Sequence, residues 1–239
     1  MNEIDIFIKE LNKFNISVSD TQKKQFLFFL EDLLSWNEKF NLTGFRTKKD
    51  IIEKLFLDSC ITKLSIKNLS DIKVTDIGTG AGFPGICLSI LLPKVSMTLV
   101  DSNNKKVEFL KLLKENLNLS NTTVISARCE ELGRSNNYRE KFDYVTAKAL
   151  APLNILLEYS MPLLKVNGML LALKGKKYAE EIEGSKKAFK LLNCEIIEIK
   201  NLKLEDIYDE CSILVIKKTA KTDKRYPRQT GIPSKKQIQ

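Results

Sequence analysis

The chain has 239 residues, 43% of them hydrophobic and 29% charged, which suits one substantial globular domain with a large core. No apolar run reaches the ~18–20 residues of a membrane span, and the amino terminus turns acidic too early for a signal peptide. The five cysteines are scattered without a Cys-x-x-Cys pair and histidine is absent. Those facts argue against a zinc site, remove Ser-His-Asp and Cys-His nucleophilic machinery, and point to reduced thiols in a cytoplasmic setting.

From the amino terminus, Ile4, Phe7, Ile8, Leu11 and Phe14 recur at helical spacing. Ser19 with Gln22 three residues on is a capping box, and the helix it opens carries Phe26, Phe29, Leu30, Leu33, Trp36 and Phe40 on one face. That aromatic stripe reads as core. Asn41-Leu42-Thr43-Gly44 breaks the helix, and a third is expected near Lys49 to Leu64. Residues 1–68 thus form a helical extension packed on the remainder of the chain.

After residue 70 the rhythm becomes alternating strand and helix. The β-branched run 72–77 stops at Gly78-Thr79-Gly80-Ala81-Gly82, and an apolar helix spans 84–92. Glycine tolerates φ > 0 and lets a ligand approach the backbone, while the next helix presents its free N–H groups to the turn. A second strand ends at Asp101, 23 residues after Gly78, where a carboxylate is placed to accept hydrogen bonds from ribose hydroxyls. The turn lacks Gly-Lys-[Ser/Thr] and is no P-loop. A nucleoside cofactor is implied, for either a dinucleotide oxidoreductase or an S-adenosylmethionine methyltransferase.

A helix is expected at 104–117, a strand at 122–126, a polar connection, a strand at 142–147 and a helix at 152–164. A turn at 165–168 precedes a strand at 169–174 and a Lys/Glu-rich helix at 177–192. Two last runs, Cys194 to Leu202 and Cys211 to Lys218, read as an antiparallel hairpin across an acidic connection. The fold class is α/β: a Rossmann-like, mostly parallel sheet over 69–218 whose last strand is antiparallel. This ending, and the lack of a histidine to move a proton in hydride transfer, favours methyl transfer. Residues 217–239 hold eight bases and one acid, so the tail from 219 onward suits a polyanion.

The acceptor is narrowed by what is missing. The stretch after the fourth strand, Thr146 to Pro152, lacks the Asp/Asn-Pro-Pro-Tyr set used on exocyclic amines, and no Pro-Cys pair supplies a nucleophile for pyrimidine carbon-5. A guanine N7 has its own lone pair and needs positioning rather than a base.

Several stretches together resemble the RsmG (GidB) family of small-subunit ribosomal RNA guanine-N7 methyltransferases. They are Trp36-Asn-Glu-Lys-Phe-Asn-Leu-Thr43, Asp58-Ser59, the turn Asp76 to Gly85, Thr98 to Ser102, Arg128 to Glu131, Ala172 to Gly175, Arg225 to Arg228 and Gly231 to Pro233. The resemblance implies S-adenosylmethionine as cofactor, 16S ribosomal RNA or the small subunit as partner, and a monomer without metal. It implies cofactor contacts at Gly78, Gly80, Gly82, Phe83, Asp101, Cys129, Glu130 and Lys148. Asp58, Lys148 and Lys174 become the candidate catalytic set, and Lys224, Arg225, Arg228, Lys235 and Lys236 the candidate RNA contacts. Two departures stand out: Lys148 occupies a position usually held by arginine, and Leu55 one often held by histidine. Carried beside this reading are a nucleotide-dependent oxidoreductase and a non-catalytic RNA-binding assembly factor.

Overall fold

The computed structural model describes residues 3–67, 70–202 and 211–238. The expected boundary at 68/69 and the acidic connection after Leu202 lie outside them. Among the described residues, seven strands form one sheet: β1 (Lys73–Ile77), β2 (Ser96–Asp101), β3 (Thr122–Ser126), β4 (Phe142–Lys148), β5 (Leu164–Lys174), β6 (Cys194–Leu202) and β7 (Cys211–Lys218). Their spatial order is β3-β2-β1-β4-β5-β7-β6. The first five run parallel, and β7 lies antiparallel between β5 and β6. Strand order reverses between β1 and β4, so the carboxyl ends of these strands open a crevice, the usual ligand position in such sheets.

The helices are α1 (Glu3–Lys13), α2 (Asp20–Phe40), α3 (Lys48–Ile51), α4 (Leu57–Ile61), α5 (Gly85–Leu91), α6 (Asn104–Asn116), α7 (Cys129–Arg134), α8 (Leu153–Ser160), α9 (Tyr178–Glu183), α10 (Lys186–Leu191) and α11 (Ile232–Lys235). The capping box forms as the sequence predicts: Gln22 N donates to Ser19 Oγ, and Ser19 N to Gln22 Oε1. Residues Phe7, Phe26, Phe29 and Phe56 meet Phe83 of the glycine turn in one ring cluster, with centroids 5.1 to 5.7 Å apart. This cluster fixes the helical extension against the cofactor side of the sheet. The aromatic stripe leaves the core at its end: Phe40 is 40% exposed, with Lys105 Nζ 5.4 Å from its ring centroid.

Five expected elements differ. The helix near 49–64 is interrupted by a π turn, Ile52–Phe56, then continues as α4 and a 3₁₀ turn, Thr62–Ser65. One extra residue per turn rotates the chain just before Asp58, which periodicity alone does not reveal. The turn at 165–168 lies within β5; Asn167 takes φ 69°, and the β4 pairing jumps between Phe142 and Tyr144. Glycine and asparagine there mark a bulge, not a strand start. The helix at 177–192 is split into α9 and α10 at Gly184–Ser185. The polar connection contains α7, and α8 stops at Ser160 instead of 164.

Candidate cofactor and acceptor pockets

The glycine turn takes its shape from three positive φ values, at Gly78, Gly80 and Gly82. A Cβ on Gly78 would sit 2.3 Å from Leu150 Cδ1, and one on Gly82 2.6 Å from Ile86 Cγ1. At Gly80 a Cβ meets nothing nearer than 3.8 Å, so that position is open toward the crevice. Two carboxylates hold the turn. Asp101 Oδ2 accepts Gly80 N at 2.9 Å and its Oδ1 accepts Asn103 N at 2.8 Å. Asp76, fully buried, accepts Gly85 N at 2.9 Å and Thr146 Oγ1 at 2.8 Å. Burial raises the Asp76 carboxyl to about 6 in spite of these donors.

In front of the turn lies a cavity of about 720 Å³. Gly78, Asp101, Cys129 and Glu130 line it. The Cys129 thiol is pushed up to about 12, first by burial and then by the Glu130 and Asp101 charges, so it is a neutral wall. Tyr159 is also pushed up to about 12, by burial and Glu130, and is a neutral hydroxyl within the same cavity. An open glycine cradle, a carboxylate at the strand tip and a mixed apolar and polar wall fit a nucleoside. Phe83 instead points back into the ring cluster, 6% exposed, and Gly82 packs against Ile86 rather than lining the cavity.

A second cavity, of about 510 Å³, opens beside it between α4, β4, β5 and β7. Its wall includes Lys54, Asp58, Lys148, Lys174, Glu181 and Cys211. The two cavities share residues 149–152. Asp58 is 2% exposed, and Lys148 Nζ contacts both of its carboxylate oxygens at 2.7 Å. The same ammonium donates to Lys54 O at 2.7 Å. Burial raises the Asp58 carboxyl against the opposing pull of Lys148. Thus Lys148 belongs to the second cavity and pairs with Asp58 instead of lining the first. Lys174 Nζ is turned inward, donating to Ala151 O and Glu181 Oε2, both at 2.7 Å.

The basic tail packs on α7 and α8. The Arg228 guanidinium grips Glu158 through both oxygens, at 2.9 and 2.6 Å, and Arg139 donates to Thr222 O, Asp223 O and Tyr226 O. Gly231 N donates to Glu130 Oε1 at 2.9 Å, and Thr230, Gly231 and Ser234 line the cofactor cavity. Arg228 is therefore committed to a structural pair, and Arg225 pairs with Asp223 at 2.9 Å. Lys224, Lys235 and Lys236 are exposed. The contributions of Tyr159, Glu181, Lys106 and Thr230 to these walls escape a reading by motif. The only signal in the sequence is the Gly231-Ile-Pro233 stretch, whose glycine takes φ 82°.

Comparison with known proteins places this geometry. The family model described as rRNA small subunit methyltransferase G (GidB) matches residues 22–208. The chain is 42% identical over 236 residues to the Ribosomal RNA small subunit methyltransferase G of Lactococcus lactis subsp. lactis, covering 98% of each chain. It is 42% identical over 223 residues to the protein of that name from Alkaliphilus metalliredigens, covering 92% of each. Among solved structures, a predicted O-methyltransferase from Agrobacterium tumefaciens shares the fold at TM-score 0.54 and 18% identity, covering 66% of this chain and 79% of that one. M. jannaschii TYW2, solved in complex with AdoMet, does so at TM-score 0.52 and 18% identity, covering 67% and 73%. With its Rossmann-like sheet and a match spanning nearly its whole length, the chain belongs to the GidB family, rRNA small subunit methyltransferase G.

Proposed function

We propose that the chain methylates guanine N7 in small-subunit (16S) ribosomal RNA, using S-adenosylmethionine and direct in-line transfer without a general base. The observation that carries this reading is the pair of neighbouring cavities that share residues 149–152 in their walls. One has the glycine cradle and strand-tip carboxylate of a nucleoside site; the other is a separate recess for an acceptor. When bound, S-adenosylmethionine supplies an electrophilic methyl group. Gly78, Asp101, Cys129 and Glu130 line the site that would hold it, and Asp101 retains lone pairs for hydroxyl donors beyond its two backbone bonds.

Asp58 and Lys148 serve the acceptor side. A guanine N7 gains positive charge as its new bond forms, and the Asp58 carboxylate supplies a favourable field. Lys148 keeps that carboxylate ionised and oriented. No proton has to leave the acceptor, which agrees with a chain that contains no histidine. The exposed Lys224, Lys235 and Lys236 are suited to backbone phosphates of the RNA, and the protein acts as a monomer in the cytoplasm.

The test is transfer from radiolabelled S-adenosylmethionine to ribosomal RNA and to small subunits, with subsequent mapping of the methyl group. Label at guanine N7, with a single-turnover rate flat between about pH 6 and 9, is the expected result. A rate rising tenfold per pH unit across that range would reveal an essential base and refute the mechanism. Cofactor binding without transfer to either RNA form would favour an assembly factor instead.

A further inference from the structure

We propose that Glu181 is a positioning residue for the methyl-transfer step: through Lys174 it holds the wall between the donor and acceptor cavities in its working place. The proposal rests on the methyltransferase reading above. Among the described residues, 149–152 are the one stretch common to both cavities, so a shift there alters the distance between the reacting groups. The stretch does not hold itself. Ala149 takes φ 52°, a left-handed conformation that disfavours a residue with a Cβ, and needs outside support.

That support converges on one carboxylate oxygen. Glu181 Oε2 accepts Leu153 N at 2.7 Å, fixing the start of α8 immediately after the wall. The same oxygen receives Lys174 Nζ at 2.7 Å, and Lys174 Nζ reaches Ala151 O within the wall at 2.7 Å. Lys174 is 9% exposed and Glu181 28%, so these charge-assisted bonds are sheltered from solvent screening. The wall is thus clamped at Ala151 from β5 and at Leu153 from α9. Leu150, the residue before the clamp at Ala151, packs where a Cβ of Gly78 would sit, which transmits the wall's position to the glycine turn. The geometry also explains why Lys174 lines the acceptor cavity without pointing its charge into it.

A displacement of about 1 Å between reacting groups costs up to ~100-fold in rate, so a clamp of this kind acts on the chemical step more than on binding. The experiment uses the full chain with Glu181→Ala, Glu181→Gln and Glu181→Ala/Lys174→Met. It measures single-turnover methylation of small-subunit RNA, the KM for RNA, S-adenosylmethionine affinity by calorimetry, and the thermal midpoint. Glu181→Ala is expected to slow single turnover ~10–100-fold with KM and cofactor affinity within ~twofold, at a temperature where it is folded. Glu181→Gln, which keeps an acceptor for Leu153 N, recovers part of the rate. Adding Lys174→Met to Glu181→Ala costs little more, because the two act as one unit.

An unchanged rate in Glu181→Ala, or a loss confined to KM, cofactor affinity or folding, overturns the positioning role while the methyltransferase reading stands. An unmodified protein that binds S-adenosylmethionine but methylates no ribosomal RNA overturns that reading, and this proposal with it.

Discussion

Lys148→Met removes the ammonium from a pair in which Asp58 is 3% and Lys148 15% exposed at the side chain. Among the described residues, the carboxylate then keeps the Ser59 backbone N–H, Ser59 Oγ at 3.4 Å and Cys211 Sγ at 3.7 Å, none of them a charged replacement for the 2.7 Å ion pair. Breaking a buried pair from one side costs ~3–5 kcal/mol, a large part of a typical ~5–15 kcal/mol stability. The cost has a ceiling, because the carboxyl can take up a proton. With an unfolded value near 3.8, protonation costs roughly 5–6 kcal/mol at pH 8 but only ~1.6 kcal/mol at pH 5. The folded Asp58 carboxyl is already raised, and Lys148→Met raises it further. Its stabilising contribution is full below the unfolded value and is lost as pH rises through the folded one. The variant should therefore lose ~3–5 kcal/mol at pH 8 and at least ~1 kcal/mol less at pH 5, read by urea unfolding. Asp58→Asn in the same background should restore most of the pH 8 loss, and Lys148→Arg should be tolerated. A loss under ~1 kcal/mol at pH 8, or equal losses at both pH values, would refute the picture of a buried carboxylate held ionised by Lys148.

On the cofactor side, Gly80→Val forces a β-branched residue to φ near 61° and should abolish S-adenosylmethionine binding in a folded protein, and Asp101→Ala should weaken it by ~1.5–3 kcal/mol; unchanged calorimetric affinity in both would remove this cavity from consideration. Truncation at residue 218 should flatten the salt dependence of RNA binding and also weaken cofactor binding, since Gly231 holds Glu130 and the tail lines the cavity; intact cofactor affinity would show that this wall is dispensable. Asp76, raised from 3.8 to about 6, contributes stability that is full below pH ~4 and fades as pH rises through ~6, on the order of 3 kcal/mol. Unfolding of Asp76→Asn between those values should lack that decline, and a parallel pH profile for both proteins would count against the buried-acid account.

Local chemistry was sufficient for the scaffold. The run 72–77, the glycines after it and Asp101 at the tip of β2 specify strand, turn and carboxylate through backbone preference and short spacing, and the structure keeps all three. The capping box at Ser19 and the antiparallel closing pair were legible for the same reason: each depends on residues near one another in the chain or on strict alternation. What tertiary structure alone decided is how charges pair across distance. Asp58 meets Lys148 ninety residues away, Glu158 meets Arg228 seventy away, and Glu130 meets Gly231 across 101. No local preference encodes such partners, because the carboxylate of an isolated helix and the bases of an isolated tail look equally solvated. Burial changes their energetics, turning Arg228 from a free cation into an anchor and Lys174 from an acceptor-site charge into a clamp. The π turn before Asp58 and the bulge in β5 are also invisible to periodicity, since each inserts residues out of phase with the element around it. Short-range preference lays out the sheet, and long-range packing chooses which charged groups are left to do chemistry.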